Sequence, residues 1–137
     1  MPRIAKALDT LRRQVQTEFP TAPKAEFGWI GDTRHQARKS DHNPNASGVV
    51  LALDIPHCPE IGLNTYVLAD YMKQHPDSRC RYIISNGRIW NPSISPKWRP
   101  YRGANKHDHH MHVSVAPRPA LYDNPSQWDL GFSHGEH

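Results

Sequence analysis

Two separated groups of histidine and aspartate residues constrain this chain more than any other feature of its 137 residues. The early group holds His42, in a stretch rich in turn-forming residues, and Asp54, near the end of an apolar run; the late group is His107–His112. Neutral imidazoles together with one carboxylate form the donor set of a catalytic zinc site, in which a fourth position stays open for water. We therefore expect a fold that brings both groups to one metal ion.

Alternation within the late group indicates which of its histidines converge. If residues 109–115 form a strand, His110, His112 and Ser114 share one face, while His109 shares the other face with three apolar residues. Two histidines that are two positions apart on a strand can face the same ion. The alternative is a surface tract that scavenges metal, but such a tract leaves the early group unexplained.

The apolar pattern predicts an α+β domain, in which a small antiparallel sheet carries the metal site and two or three helices flank it. The thirteen prolines indicate many loops. The predicted elements are a helix over 3–18, a buried strand over 49–55, a helix capped by Asn64 that ends before His75, a hairpin over 81–90 with Asn86-Gly87 at its turn, and the strand over 109–115. Residues 20–48 and 91–106 are predicted to be loops.

Length, charge and cysteine content limit the class of protein. The chain fits a single domain over residues 1–137, with a tail from about residue 117, and we expect a monomer. We expect no membrane insertion, because no apolar run is long enough and the N-terminus lacks the apolar stretch of a signal peptide. A net charge of +4 favours an anionic partner, either nucleic acid or a cell wall. Cys58 and Cys80 lack metal-ligand spacing and are predicted to be free thiols.

Three short motifs stand out: Ser-x-His with a following Gly, Ala-x-Asp on a strand, and a late His-x-His. Their residues are Ser40, His42, Gly48, Ala52, Asp54, His110 and His112. This set resembles the LAS group of zinc peptidases, which includes lysostaphin-type enzymes, D-Ala-D-Ala metallopeptidases and L-Ala-D-Glu endolysins. The wider resemblance, over about residues 5–115, is to actinobacterial and phage cell-wall hydrolases, and it rests on residues 31–32, 35–38, 40–44, 84–90 and 98–101.

The resemblance implies that His42, Asp54 and His112 hold Zn²⁺ and that water completes the coordination. It implies that His110 takes the proton of that water, and that Arg38 or Arg34 binds a substrate carboxylate or the oxyanion. The implied partner is the stem peptide or cross-bridge of peptidoglycan. Such an enzyme would accumulate in the host cytoplasm until it is released to the wall.

Two departures from the D-Ala-D-Ala enzymes bear on the site. Residues 43–47 form an apparent insertion between His42 and Asp54, which could reshape the substrate cleft while costing little free energy. In some relatives a Glu or Asp lies three positions before the last histidine, whereas His109 occupies that position here. This leaves His110 as the candidate base, as in lysostaphin-like members.

Other interpretations stay open at this stage. A metal-dependent nuclease acting on DNA is the main alternative, and a wall-binding module with a degenerate site is another. A serine hydrolase built on Ser40 is disfavoured because no Gly-x-Ser-x-Gly elbow is present.

Asp108 is a candidate to orient a histidine. Trp90 is expected in the core, and Trp98 and Tyr101 in a substrate groove.

Overall fold

A computed structural model of the protein describes residues 2–29, 41–103 and 105–132. In chain order, its elements are β1 Arg3–Ile4, α1 Lys6–Glu18, β2 Val49–Val50, β3 Ala52–Pro56, α2 Thr65–Gln74, β4 Cys80–Ser85, β5 Arg88–Trp90, β6 Arg99–Pro100, β7 His110–Val115 and α3 Pro119–Tyr122. Single 3₁₀ turns lie at Lys24–Glu26 and Pro59–Ile61. None of the helices in the described residues is long and apolar enough to cross a membrane.

A five-stranded antiparallel sheet with the order β3-β7-β4-β5-β6 forms the centre of the molecule. The predicted α+β class is confirmed, and so is the hairpin whose turn is Asn86-Gly87. The predicted strand over 49–55 is divided at Leu51, because β2 pairs in parallel with β1 whereas β3 pairs with β7. The two strands that carry the late histidines and Asp54 are therefore neighbours.

The helices cover one face of the sheet. α1 buries Leu8, Leu11 and Val15, which recur at helical spacing, and it packs against β3. It begins at Lys6, later than predicted, because Arg3 and Ile4 pair with β2 instead. α2 packs against β4 and β7 and begins as predicted, since the side chain of Asn64 accepts hydrogen bonds from the first helical N–H groups.

Alternation along the strands separates the core face from an open face. On β3 and β7, the residues under the helices are fully buried apolar side chains: Leu53, Ile55, Met111, Val113 and Val115. The residues between them project to the opposite face, and these include Asp54, His110, His112 and Ser114. The chemistry-bearing side chains are thus separated from the core by the thickness of the sheet.

Arg79, which precedes β4, anchors the C-terminal segment to this body. Its buried guanidinium donates to the backbone oxygens of Asn124 at 2.8 Å and Ser126 at 2.6 Å, and it pairs with Asp77 at 2.7 Å. The same group lies 4.4 Å from the ring centroid of Trp128, which is buried against α1. One buried cation therefore satisfies several carbonyls and fixes the position of an aromatic core residue.

We expect Arg79→Met to destabilise the fold by about 3 kcal/mol, because it leaves a partly buried carboxylate and two carbonyls without their donor. Urea unfolding followed by tryptophan fluorescence measures this change. Arg13→Met is the matched control, because it removes only the exposed ion pair with Asp9 and should cost less than about 1 kcal/mol. Equal losses in the two variants would contradict the anchoring role of Arg79.

Candidate metal centre

The centre is built on two directly paired strand residues. Asp54 of β3 lies opposite His112 of β7 in the antiparallel register, so both side chains project from the open face. The Oδ1 atom of Asp54 lies 3.4 Å from Nδ1 of His112. Backbone pairing thus brings together a carboxylate and an imidazole that are far apart in the sequence.

The third member comes from a loop. Nε2 of His42 lies 3.3 Å from the same Asp54 Oδ1 atom, and the His42 and His112 rings meet edge to face with centroids 5.0 Å apart. Donor atoms of the three side chains all lie within 4.8 Å of one another. The structure therefore brings together His42, Asp54 and His112, the three metal ligands implied by the resemblance, in a group close enough to bind a metal ion.

Outer hydrogen bonds orient both imidazoles. Nδ1 of His42 lies 3.0 Å from the backbone oxygen of Trp29; a carbonyl can only accept, so Nδ1 carries the proton and Nε2 turns a lone pair toward Asp54. Nε2 of His112 lies 2.7 Å from Oγ of Ser114. When this hydroxyl accepts the proton of Nε2, Nδ1 is the free donor atom. Histidine ligands of metals are oriented in this way.

Tyr82 supports the second imidazole from the side. Its ring stacks on that of His112, with centroids 5.4 Å apart and an interplanar angle of 6°. Its hydroxyl donates to Oδ2 of Asp41 at 2.9 Å. Burial and the nearby carboxylate raise the pKa of Tyr82 to about 12, so it remains a neutral donor at physiological pH.

Charge within the centre favours an ionised carboxylate. Burial by itself would raise the pKa of Asp54, but the imidazoles of His112 and His42 outweigh it and hold this pKa well below its usual value. For His42, burial opposes protonation, yet the Asp54 carboxylate raises its pKa. Asp54 is therefore anionic at neutral pH, which is the state that a metal ligand requires.

The Oδ1 atom of Asp54 is the observation that tests whether a cation fits here. It is buried and has no hydrogen bond of normal geometry, although two ring nitrogens face it at 3.3 and 3.4 Å. A buried carboxylate oxygen without a hydrogen bond is unfavourable unless a cation compensates it. The three side chains therefore fit a metal ion.

Of the remaining predicted site residues, the structure describes only His110. His110 shares the open face with His112, and its Nε2 lies 3.0 Å from Oε2 of Glu26. Arg34, Arg38 and Ser40 lie outside the described residues.

Three further expectations have clear outcomes. Asp108 is half exposed, with its carboxylate 3.9 Å from the ring of exposed His109, and no described contact links it to the three ligands. Trp90 is buried in the core as expected. Cys58 and Cys80 are free thiols, as predicted.

Trp98 corrects one expectation, because it does not line a groove on the open face. Its Nε1 donates to Oδ1 of Asp70 on α2 at 2.7 Å, and the guanidinium of Arg88 lies 4.6 Å from its ring. These contacts place Trp98 on the helix side of the sheet. Tyr101 does lie on the open side, where its ring meets that of His107 at 5.8 Å.

Sequence analysis placed His107 in the late group without giving it a role, and the structure brings its ring to the centre. Its ring lies edge to face against that of His112, with centroids 5.4 Å apart, and its Nδ1 is 2.9 Å from the backbone oxygen of Asn105. It has a φ of +56°, an uncommon conformation for a residue with a side chain. Because it precedes the strand, alternation carries no information about its direction; only the preceding loop brings it to the centre.

No protein-family model, no curated protein and no solved structure matches this chain. The functional interpretation therefore depends on the site itself.

We expect zinc to bind wild-type protein and to raise its unfolding temperature, because the ion compensates the Asp54 carboxylate. Asp54→Asn should weaken zinc affinity by at least about 100-fold, and Ser114→Ala by about 10-fold. Titration calorimetry and thermal unfolding with and without zinc measure both effects.

Asp108→Asn is the matched control, since it makes the same chemical change outside the centre and should leave affinity unchanged. If zinc stabilised Asp54→Asn as strongly as wild type, the metal would have to bind elsewhere.

Proposed function

We propose that this chain is a zinc-dependent peptidase that hydrolyses peptide bonds of bacterial peptidoglycan, in the stem peptide or the cross-bridge, in the manner of an endolysin. The observation that carries the proposal is the His42-Asp54-His112 group, in which a buried carboxylate oxygen faces two ring nitrogens without a hydrogen bond. Three protein donors with an open fourth position are typical of catalytic rather than structural zinc sites. The resemblance to LAS peptidases supports the same chemistry.

The separation of the donor atoms favours zinc over magnesium. Ligands about 2.0 to 2.1 Å from a tetrahedral ion lie roughly 3.3 to 3.4 Å apart. The two imidazole nitrogens lie at 3.3 and 3.4 Å from Asp54 Oδ1. Adjacent ligands of an octahedral ion at the same bond length would lie about 2.9 Å apart. Two imidazoles and one carboxylate also suit zinc better than the all-oxygen shell that magnesium prefers.

The reaction needs a proton acceptor and donor beside the centre. When bound, zinc supplies a Lewis acid that polarises the scissile carbonyl and acidifies water. As water oxygen bonds to the carbonyl carbon, His110 accepts the water proton and then passes it to the departing amine as the C–N bond breaks. Glu26 orients this imidazole at 3.0 Å. His107, whose ring meets that of His112, donates through Nδ1 to the backbone oxygen of Asn105, so its Nε2 carries a lone pair and is a second acceptor for a proton.

Room for a substrate residue lies next to the centre. A cavity of about 420 Å³ opens beside Tyr82 and is lined by Asp41, Asn43, Pro44, Asn45, Leu51 and Arg81. Its wall carries amide, carboxylate, guanidinium and phenol groups. Such a lining suits the backbone and polar side chains of a peptide, and the basic chain as a whole suits an anionic wall.

We expect purified protein to release new amino groups from isolated peptidoglycan. A chelator should abolish the release, zinc should restore it, and Asp54→Asn should be inactive while Asp108→Asn retains activity. Plasmid DNA in a parallel reaction should stay intact. Mass spectrometry of the fragments identifies the bond. If the plasmid DNA were nicked while the peptidoglycan released no amino groups, the protein would be a metal-dependent nuclease and not a peptidase.

Replacing His110 or His107, which are not metal ligands, should have a different effect on zinc binding from replacing the ligand His112. His110→Ala and His107→Ala should each lower kcat by about 100-fold or more while zinc stays bound, because each removes an imidazole that can accept a proton beside the centre. His112→Ala should lose zinc and activity together. Kinetics combined with metal analysis of the same samples make the comparison.

Unchanged turnover in His110→Ala, with loss only in His107→Ala, would move the proton-transfer role to His107. Unchanged turnover in both variants would contradict imidazole catalysis at this centre.

A further inference from the structure

A row of paired residues crosses the open face from the metal ligands to the far edge of the sheet. Asp54 pairs with His112, His112 with Ile84, Ile84 with Ile89, and Ile89 with Arg99. Residues that pair directly on adjacent strands project to the same face. Arg99 therefore shares its face with the metal centre, and two isoleucines, buried Ile84 and partly buried Ile89, lie between them.

Arg99 lacks the polar partners that buried Arg79 has. Its Nε atom is buried without a hydrogen-bond partner, and within the described ranges 2–29, 41–103 and 105–132 its side chain makes no ion pair. By contrast, buried Arg79 has a carboxylate and backbone oxygens around it. A partly buried guanidinium without an acceptor is unfavourable unless a ligand supplies one.

The position of Arg99 sets the distance between the bond that is cleaved and the substrate group that pairs with the guanidinium. Adjacent strands are about 4.8 Å apart, so three steps separate His112 from Arg99 by roughly 14 Å. The arginine side chain spans part of this distance. Because an extended peptide advances about 3.3 to 3.6 Å per residue, the group that reaches Arg99 belongs to a residue roughly two to four positions from the scissile bond.

The loop after β6 lies on the same side of the sheet as this row. The rings of Tyr101 and His107 meet at 5.8 Å, and that of His107 reaches His112. The backbone of the β4–β5 turn holds the loop, since Asn86 N donates to His107 O at 3.0 Å and Gly87 N donates to Lys106 O at 2.7 Å. The β4–β5 turn therefore holds this loop beside the centre.

We propose that Arg99 is a specificity-determining residue that binds a carboxylate of the substrate, two to four residues from the bond that is cleaved. Guanidinium and carboxylate pair through two parallel hydrogen bonds, and the partial burial of Arg99 strengthens that pairing by limiting solvent. The substrate class rests on the proposed peptidase function. The selected substrate would be a stem peptide that carries a free acidic group at this position, in preference to its amidated form.

The test uses two synthetic stem-peptide fragments that differ only in whether the glutamyl carboxylate is free or amidated. Binding to zinc-loaded protein is followed by NMR of isoleucine methyl groups. Ile84 and Ile89 lie between the centre and Arg99, so their signals report bound peptide without any need for turnover. Wild type should bind the free acid at least about 10-fold more tightly than the amide. Arg99→Gln should lose this preference, and Arg99→Lys should retain part of it.

Arg88→Gln is the matched control. It makes the same change one residue from Ile89, but Arg88 faces the helix side beside Trp98 and should keep the preference. Equal binding of the two fragments, binding of neither, or a preference that survives in Arg99→Gln would overturn the assignment. Preferential binding of the acid without any cleavage of peptidoglycan would retain the Arg99 site and refute the peptidase.

Discussion

The pairing of Asp54 with His112 is the interaction on which the rest of the centre depends. It is set by the antiparallel register of β3 and β7, and a slip of one residue would turn Asp54 into the apolar core. Burial makes this carboxylate costly, and the two imidazoles that face it offset the cost. The same strands contribute core residues to the opposite face, so the energy of packing also fixes the geometry of the metal site.

Two histidines at the centre lie on loops and not on the sheet. His42 and His107 both precede strands, and each is oriented by a backbone carbonyl, from Trp29 and Asn105 respectively. The sheet thus carries two of the three candidate ligands and a loop carries the third, which is a common arrangement because loops tolerate change without loss of the core. In the proposed peptidase, the loops that contact the substrate can therefore change while the two ligands on the sheet keep their positions.

Much of the fold and the ligand set was predictable from local patterns. Alternation along residues 110–115 identified the face of His112, and Asn86-Gly87 identified the hairpin, because both signals act between near neighbours. Trp98 was assigned wrongly: an aromatic residue between Pro and Arg residues suggests a groove, but its partner Asp70 lies on α2. Sequence analysis gave neither His107 nor Arg99 a role at the site, since the position of His107 depends on loop conformation and that of Arg99 on pairing across the sheet.

The sequence by itself determined the chemistry that is available: imidazoles and a carboxylate suited to zinc, a strand that presents alternate residues, and helices with one apolar face. These properties depend on residue type and short-range periodicity. Only the tertiary structure decided which donors meet, which of the nearby histidines reach the centre, and that the metal ligands and Arg99 share one surface. Those outcomes depend on strand order and register, which are set by packing between residues that are distant in the chain.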